Sequence, residues 1–242
     1  MDGKLNEHLI NVNGWDGRFM SAKVLALLPG PDGDSRQGAD ATREKLLAAT
    51  HALLVERGGG QISVNDICAR AEVNVAMVKY CFGGKSGMMQ ALIDRISRGF
   101  IADLQRLDAL GLPPSERLIR HVSAIIKGYV RYPYINRLIN EQLLSADPEG
   151  VSHFSRTYAV PMRDWYARLL EEGSALGEFR TVDPVLFFFT TLGMAEFFFT
   201  AQPLMRAAFS RGETDSATLG RFTRHVTAML IGGLSSNSRP RA

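Results

Sequence analysis

The sequence predicts an all-α fold of about nine helices, and three observations carry that prediction. Apolar residues recur three and four positions apart over most of the chain, and no alternating strand pattern of any length competes. Gly, Pro and capping residues punctuate the periodic stretches at helical intervals. The 242 residues, 45% hydrophobic and 22% charged, suffice for a sizeable core without disulfide or metal staples.

Residues 1–39 lack sustained periodicity, and their Gly-, Pro- and Asp-rich end is expected to be a flexible leader; Met20 is a candidate start that the sequence leaves open. Order is expected from Asp40, with Thr42 capping a helix that carries Leu46, Thr50, Leu53 and Leu54 and stops at Arg57-Gly58-Gly59-Gly60. Ser63 followed by Asp66 has capping-box spacing and opens a short helix, Val64 to Ala71. Glu72-Val73-Asn74 leads to a second short helix, Val75 to Phe82, closed by Gly83-Gly84. Longer helices follow. One runs from Ser86 to about Leu110; a second is capped by Ser115 and reaches Tyr132. A third covers Tyr134 to Leu144, and a fourth covers Val151 to about Glu172. Asp183-Pro184, a capping acid before Pro at the first helical position, opens a very apolar helix to about Leu204. The last helix, Asp215 to Leu234, sets Leu219, Phe222, Val226 and Met229 in a narrow apolar seam, and residues 236–242 read as a flexible tail.

Several function classes are excluded at this level. Cys68 and Cys81 form no CxxC pair and rule out a disulfide-dense scaffold; two neutral thiols are expected. The histidines at 121, 153 and 225 stand alone on separate helices, so no metal site is expected. Gly83-Gly84-Lys85-Ser86 has Lys79 where a phosphate loop needs its first Gly, and no strand precedes it. No nucleophile–base pair or cofactor loop emerges, so neither an enzyme nor a cofactor is expected. The apolar stretch Val185 to Ala201 carries Glu196 and is short for a membrane span; a buried helix, no membrane and a cytoplasmic protein are the reading. The 28 basic and 25 acidic residues leave a net charge of +3, too small to declare a nucleic-acid binder alone. Residues 41–99, however, hold eight basic and five acidic side chains, a local excess equal to the whole.

That basic segment contains the functional motif. Two short helices joined by three residues, Ser63 to Phe82, have the form of a helix-turn-helix whose second helix enters the DNA major groove. Val64, Ile67, Val73, Val78 and Phe82 can pack inward, which frees Val75, Ala76, Met77, Lys79 and Tyr80 for the groove. Tyr80 and Met77 have core readings as well. The stretch ISVNDICARAEVNVAMVKYCFGGKSGMMQAL, preceded by TREKLLAATHALLVERG, resembles the DNA-binding domain of the TetR/AcrR family of transcriptional repressors. The resemblance spans about 60 residues, Asp40 to Arg98. It implies DNA contacts from Thr42, Ser63, Asn65, Asn74, Val75, Ala76, Met77, Lys79, Tyr80 and Lys85. Among these, Val75 and Ala76 suit thymine methyls, Lys79 suits guanine acceptors or a phosphate, and Lys85 a phosphate. The sequence departs from the family pattern at Glu72, where Gly is common, and at Val75-Ala76-Met77, which are unusually apolar. Glu72 therefore implies a different turn geometry or a helical φ there.

The resemblance further implies a domain division: a leader to 39, a reading head over 40–85, a ligand-binding and dimerisation domain over 86–235, and a tail. A small-molecule effector, aromatic or lipophilic, would meet Tyr129, Tyr134, Arg137, Asn140, Glu141, Phe154, Tyr158, Trp165, Phe189 and Met194. Two copies would pair through the last two long helices, with Phe188, Leu192, Phe199, Leu219, Phe222, Val226 and Met229 at the interface. Glu196, set in an apolar helix, needs a partner or an exposed position. The expected function is a homodimeric, ligand-responsive regulator of transcription, a repressor of a double-stranded DNA operator. The alternative is a helical dimeric binding or scaffold protein whose helix-turn-helix does not read DNA.

Overall fold

The computed structural model describes residues 34–144, 147–209 and 215–235, with side chains from Gly38 onward. The leader residues 1–33, Met20 among them, and the tail 236–242 lie outside it. Among the described residues there are eleven α-helices and one π-turn, and the only bridge between extended residues joins Phe179 to Ser235. In chain order the helices are α1 (Asp34–Glu56), α2 (Val64–Ala71), α3 (Ala76–Phe82), α4 (Lys85–Asp108), α5 (Pro114–Arg131) and α6 (Ile135–Leu143). Then come α7 (Pro148–Phe154), a π-turn (Ser155–Ala159), α8 (Val160–Ala175), α9 (Pro184–Thr200), α10 (Gln202–Phe209) and α11 (Ser216–Leu234).

Local chemistry accounts for most of these limits. Ser63 and Asp66 close the expected capping box: the Asp66 N–H donates to Ser63 Oγ at 3.0 Å and the Ser63 N–H to Asp66 Oδ2 at 3.1 Å. Asp183 and Asp215 likewise cap α9 and α11 through their carboxylates. Two expected caps are corrected. Thr42 lies inside α1, which begins at Asp34, and its hydroxyl donates back to the Gly38 carbonyl. Ser115 lies inside α5, whose cap position is Pro113; its N–H is taken by Glu178 from another part of the chain.

Two long expected helices are also interrupted. The stretch from 148 to 175 passes through the π-turn, because Pro161 has no N–H to give the ladder and the preceding turn widens. The apolar helix from Pro184 ends at Thr200 and resumes as α10 with a bend of 62°. No single helix among the described residues is long and apolar enough to cross a membrane; the bent pair α9 and α10 reaches that length and composition only when taken together.

The core falls into two clusters that share α4. The first joins α1, α2, α3 and the α4 residues Met88 to Ile96, and it also takes Tyr134, Ile135 and Leu138 near α6 and Phe154 from α7. The second joins Leu104 and Leu107 of α4 to α5, α8, α9 and α11. Tyr129 and Tyr158 pack against both clusters. In the second, Arg117 is buried and meets Asp108 and Glu172, and Trp165 Nε1 donates to the same Asp108 at 2.9 Å. The buried guanidinium is compensated by both carboxylates, and its loss would leave two like charges facing each other without a cation. The α3–α4 junction is tight at Gly87, where a Cβ would overlap the Phe82 carbonyl.

Candidate nucleic-acid interface and effector site

The first cluster fixes one face of α3 and leaves the other uncovered. Val78 is buried at 2% exposure, and Met77 and Phe82 pack half-buried against the same core. The Arg43 guanidinium lies 4.4 Å from the centre of the Phe82 ring and donates to the Cys81 carbonyl, which ties α1 to the end of α3. The outward face carries Val75, Ala76, Lys79 and Tyr80, with Val75 at 49% and Tyr80 at 75% exposure. Tyr80 is thus a surface ring, and Met77 sits between core and surface.

The turn before α3 keeps left-handed geometry despite its residue type. Glu72 has φ 54° and ψ 45°, neither of the alternatives expected from the sequence. Its N–H donates to Ala69 and the next N–H, of Val73, reaches back to Cys68, satisfying the end of α2. Asn74 Oδ1 then accepts the Ala76 N–H at 2.8 Å. Asn65 is exposed on α2, Ser63 is engaged in its capping box, and Thr42 is half-buried on α1. Lys85 is exposed, yet its Nζ donates to the Ile62 carbonyl at 2.5 Å, so the ammonium braces the loop before α2. Cys68 is buried on α2, with its thiol pKa pushed up by burial, and Cys81 is half-buried on α3; both are free.

The ten residues expected at an effector site separate into groups. Tyr129 stacks on Phe199 at 5.2 Å between centroids, and burial, with Tyr158 and Glu196 beside it, raises its pKa. Tyr158 stands in the π-turn, stacks on Phe154 at 5.2 Å, and has its pKa raised by burial. Asn140 Nδ2 donates to Glu196 Oε1 at 3.0 Å, so the carboxylate in the apolar helix is answered by an amide rather than an arginine. Met194 is half-buried against the second core. Tyr129 and Tyr158 mark the seam between the two cores, with Glu196 close to Tyr129. Tyr134 and Trp165 are instead fully enclosed, Arg137 and Glu141 pair with each other on the α6 surface at 2.6 Å, and Phe189 is 66% exposed.

Sequence reasoning passed over Tyr166 and considered its partner, His121, only as a metal ligand. Tyr166 is buried with its hydroxyl 2.8 Å from His121 Nε2, and burial lowers the His121 pKa to about 3 while raising that of Tyr166. The signal available was the pairing of His121 with an aromatic run at 165–166, which by itself has no fixed meaning. His153 meets Asp94 at 2.9 Å, and among the described residues no group of three or more His, Cys, Asp or Glu side chains is placed to hold a metal.

The residues expected at a subunit interface lie in different settings. Phe222 stacks on Phe198 at 3.7 Å between centroids, and Phe188 packs edge-on against Tyr166. Phe188, Leu192, Phe199 and Leu219 pack half-buried against the second core, Val226 is buried at 3% in the protomer, and Met229 is exposed at 55%. The outward stripe of α9 is Leu186, Phe189 and Phe197, each about two-thirds exposed.

Comparison with known proteins adds three findings. Residues 46–92 match the family model described as bacterial regulatory proteins, tetR family, and residues 111–238 match the tetracyclin repressor-like C-terminal domain. A Bacillus subtilis (strain 168) protein described as a probable HTH-type transcriptional regulator, YttP, is 24% identical over 143 residues, covering 58% of this chain and 69% of its own length. Among solved structures, a TetR/AcrR transcriptional regulator from Thermobifida fusca superposes with a TM-score of 0.61 at 20% identity, over 82% of this chain and 98% of the other. The ketosteroid transcriptional regulator KstR2 of Mycobacterium tuberculosis gives 0.58 at 20% identity, over 85% and 98%.

Proposed function

The chain belongs to the tetR family of bacterial regulatory proteins, a DNA-binding regulator of transcription, and from that premise we propose that it acts as a homodimeric repressor released by a small-molecule effector. The observation that carries the DNA-binding half is the uncovered face of α3. Val75, Ala76, Lys79 and Tyr80 project together while Val78 locks the opposite side into the core. Lys79 supplies the charge on that face, and Tyr80 brings a hydroxyl within reach of the phosphate wall. Thr42, Ser63, Asn65 and Lys85 surround it as backbone contacts, and Asn74, whose side-chain oxygen caps Ala76, serves to set the entry angle of α3.

The dimer follows from the stripe on α9. Leu186, Phe189 and Phe197 are too large an apolar surface to leave in water, and a second copy related by a two-fold axis covers it with the same residues. Paired in this way, two α3 helices address half-sites about 34–36 Å apart. The effector is an aromatic or lipophilic compound held where Tyr129, Asn140, Tyr158 and Glu196 converge. Release requires only that it favour a different subunit separation, with about 1–3 kcal/mol of coupling.

The test is a mobility-shift titration of the dimer on the DNA upstream of its own gene, repeated over a range of salt. The expected result is sequence-preferring binding whose log affinity falls linearly with log salt, and a Lys79→Ala variant, lacking one cation in each subunit, that binds more weakly with a slope shallower by up to about two units. Equal binding to random and upstream DNA at every salt concentration overturns the proposal.

A further inference from the structure

We propose that the operator is identified chiefly through thymine C5-methyl groups, read by Val75 and Ala76, with Lys79 as the one side chain of the reading helix that bonds a base edge. This rests on the DNA-binding reading and specifies how the same face selects its sequence.

The outward face of α3 lacks most of the side chains that read base edges. Bases are told apart in the major groove by hydrogen bonds to their edges or by the thymine methyl, and the hydrogen bonds that specify a base come chiefly from Arg, Lys, Asn, Gln, Asp or Glu. Of these the α3 sequence, Ala-Met-Val-Lys-Tyr-Cys-Phe, contains only Lys79. The nearest candidate is Asn74, whose acceptor oxygen already takes the Ala76 N–H, which holds the amide against the start of its own helix. Glu72 lies in the left-handed connection before α3, and Asn65 stands on α2, the helix that crosses the phosphate backbone in this motif.

What remains is apolar surface at the leading end of the helix. Val75 is half exposed, Ala76 is exposed beside it, and neither has a partner in the protomer that covers it. Water-exposed branched methyls facing a groove gain only from another apolar group, and thymine carries the one methyl displayed there. Lys79, one turn further on, reaches guanine acceptors as a point charge and so constrains a neighbouring pair loosely. Burial of one methyl corresponds to about fourfold in affinity, so several thymines per half-site must act together.

The experiment selects duplexes from a random library with the full-length protein, then resynthesises the selected site with deoxyuridine replacing thymidine one position at a time. Deoxyuridine keeps the pairing edge and removes only the methyl. The expected result is about a fourfold loss at two or more thymines of each half-site. A Val75→Ala variant should show a comparable loss on the thymidine duplex and no further loss from deoxyuridine at the position that Val75 covers. Selected sites that bind specifically yet tolerate deoxyuridine throughout overturn this inference and leave the DNA-binding reading standing. Failure to enrich any sequence overturns both.

Discussion

The Tyr134 hydroxyl lies 2.7 Å from His51 Nδ1, joining the start of α6 to the C-terminal part of α1. Tyr134 is fully buried, and the rings of His51, Tyr132 and Tyr134 pack edge-on around the contact. On its other side α6 reaches α9, through Asn140 to Glu196 and Asn136 to Thr200. One short helix therefore touches both the reading head and the helix that carries the outward stripe. Tyr134→Phe should leave His51 without its partner and cost about 1–2 kcal/mol in urea denaturation. If α6 transmits the effector signal, the same variant bound to DNA should need more effector for release; unchanged release would place the coupling elsewhere.

Acid should destabilise the protein in a defined window. His121 has its pKa lowered to about 3 by burial, and that of His51 is lowered by burial with Arg131 and Arg95 adding to it. Both are depressed below the unfolded value near 6.5, so between those limits the unfolded chain binds more protons and stability falls as pH falls. His121 alone contributes a slope of about 1.4 kcal/mol per pH unit from pH 6 toward 3. A His121→Gln variant should show an acid limb shallower by about one proton, measured as urea midpoints from pH 7 to 4. An identical slope would show that His121 charges without hindrance.

Glu72 holds a left-handed backbone that costs an L-residue roughly 1–2 kcal/mol. Replacement by Gly removes that cost but loosens the unfolded chain, which offsets about 0.4–1 kcal/mol. Glu72→Gly should therefore raise stability by about 0.5–1 kcal/mol, visible as a higher denaturant midpoint at constant slope. A lower midpoint would mean that the Glu72 side chain supplies more than the turn costs.

Phe189→Glu and Phe197→Glu place a charge in the outward stripe of α9 without touching the protomer core. Each should convert the dimer to a monomer in sedimentation velocity and weaken operator binding in parallel, with little change in the melting of the monomer. A dimer that persists in both variants would move the interface off this stripe.

The helical character, the capping box at Ser63 and Asp66 and the helix-turn-helix were legible in the chain because each is written within three or four residues of itself. The starts of α9 and α11 were legible for the same reason, since Asp183 and Asp215 bond the N–H groups of their own first turns. Periodicity stopped being informative where it was saturated. A helix as uniformly apolar as α9 has no preferred face, so only its neighbours decide that Phe187 turns inward while Leu186, Phe189 and Phe197 turn outward. Tertiary packing likewise drew Tyr134 into the core of the reading head, over 80 residues from His51 along the chain, and set Glu196 beside Asn140. The sequence by itself determined that the chain is helical and where its helix-turn-helix lies. The tertiary structure decided which sides of those helices remain free, because burial is a property of what arrives opposite a side chain and not of the residues beside it.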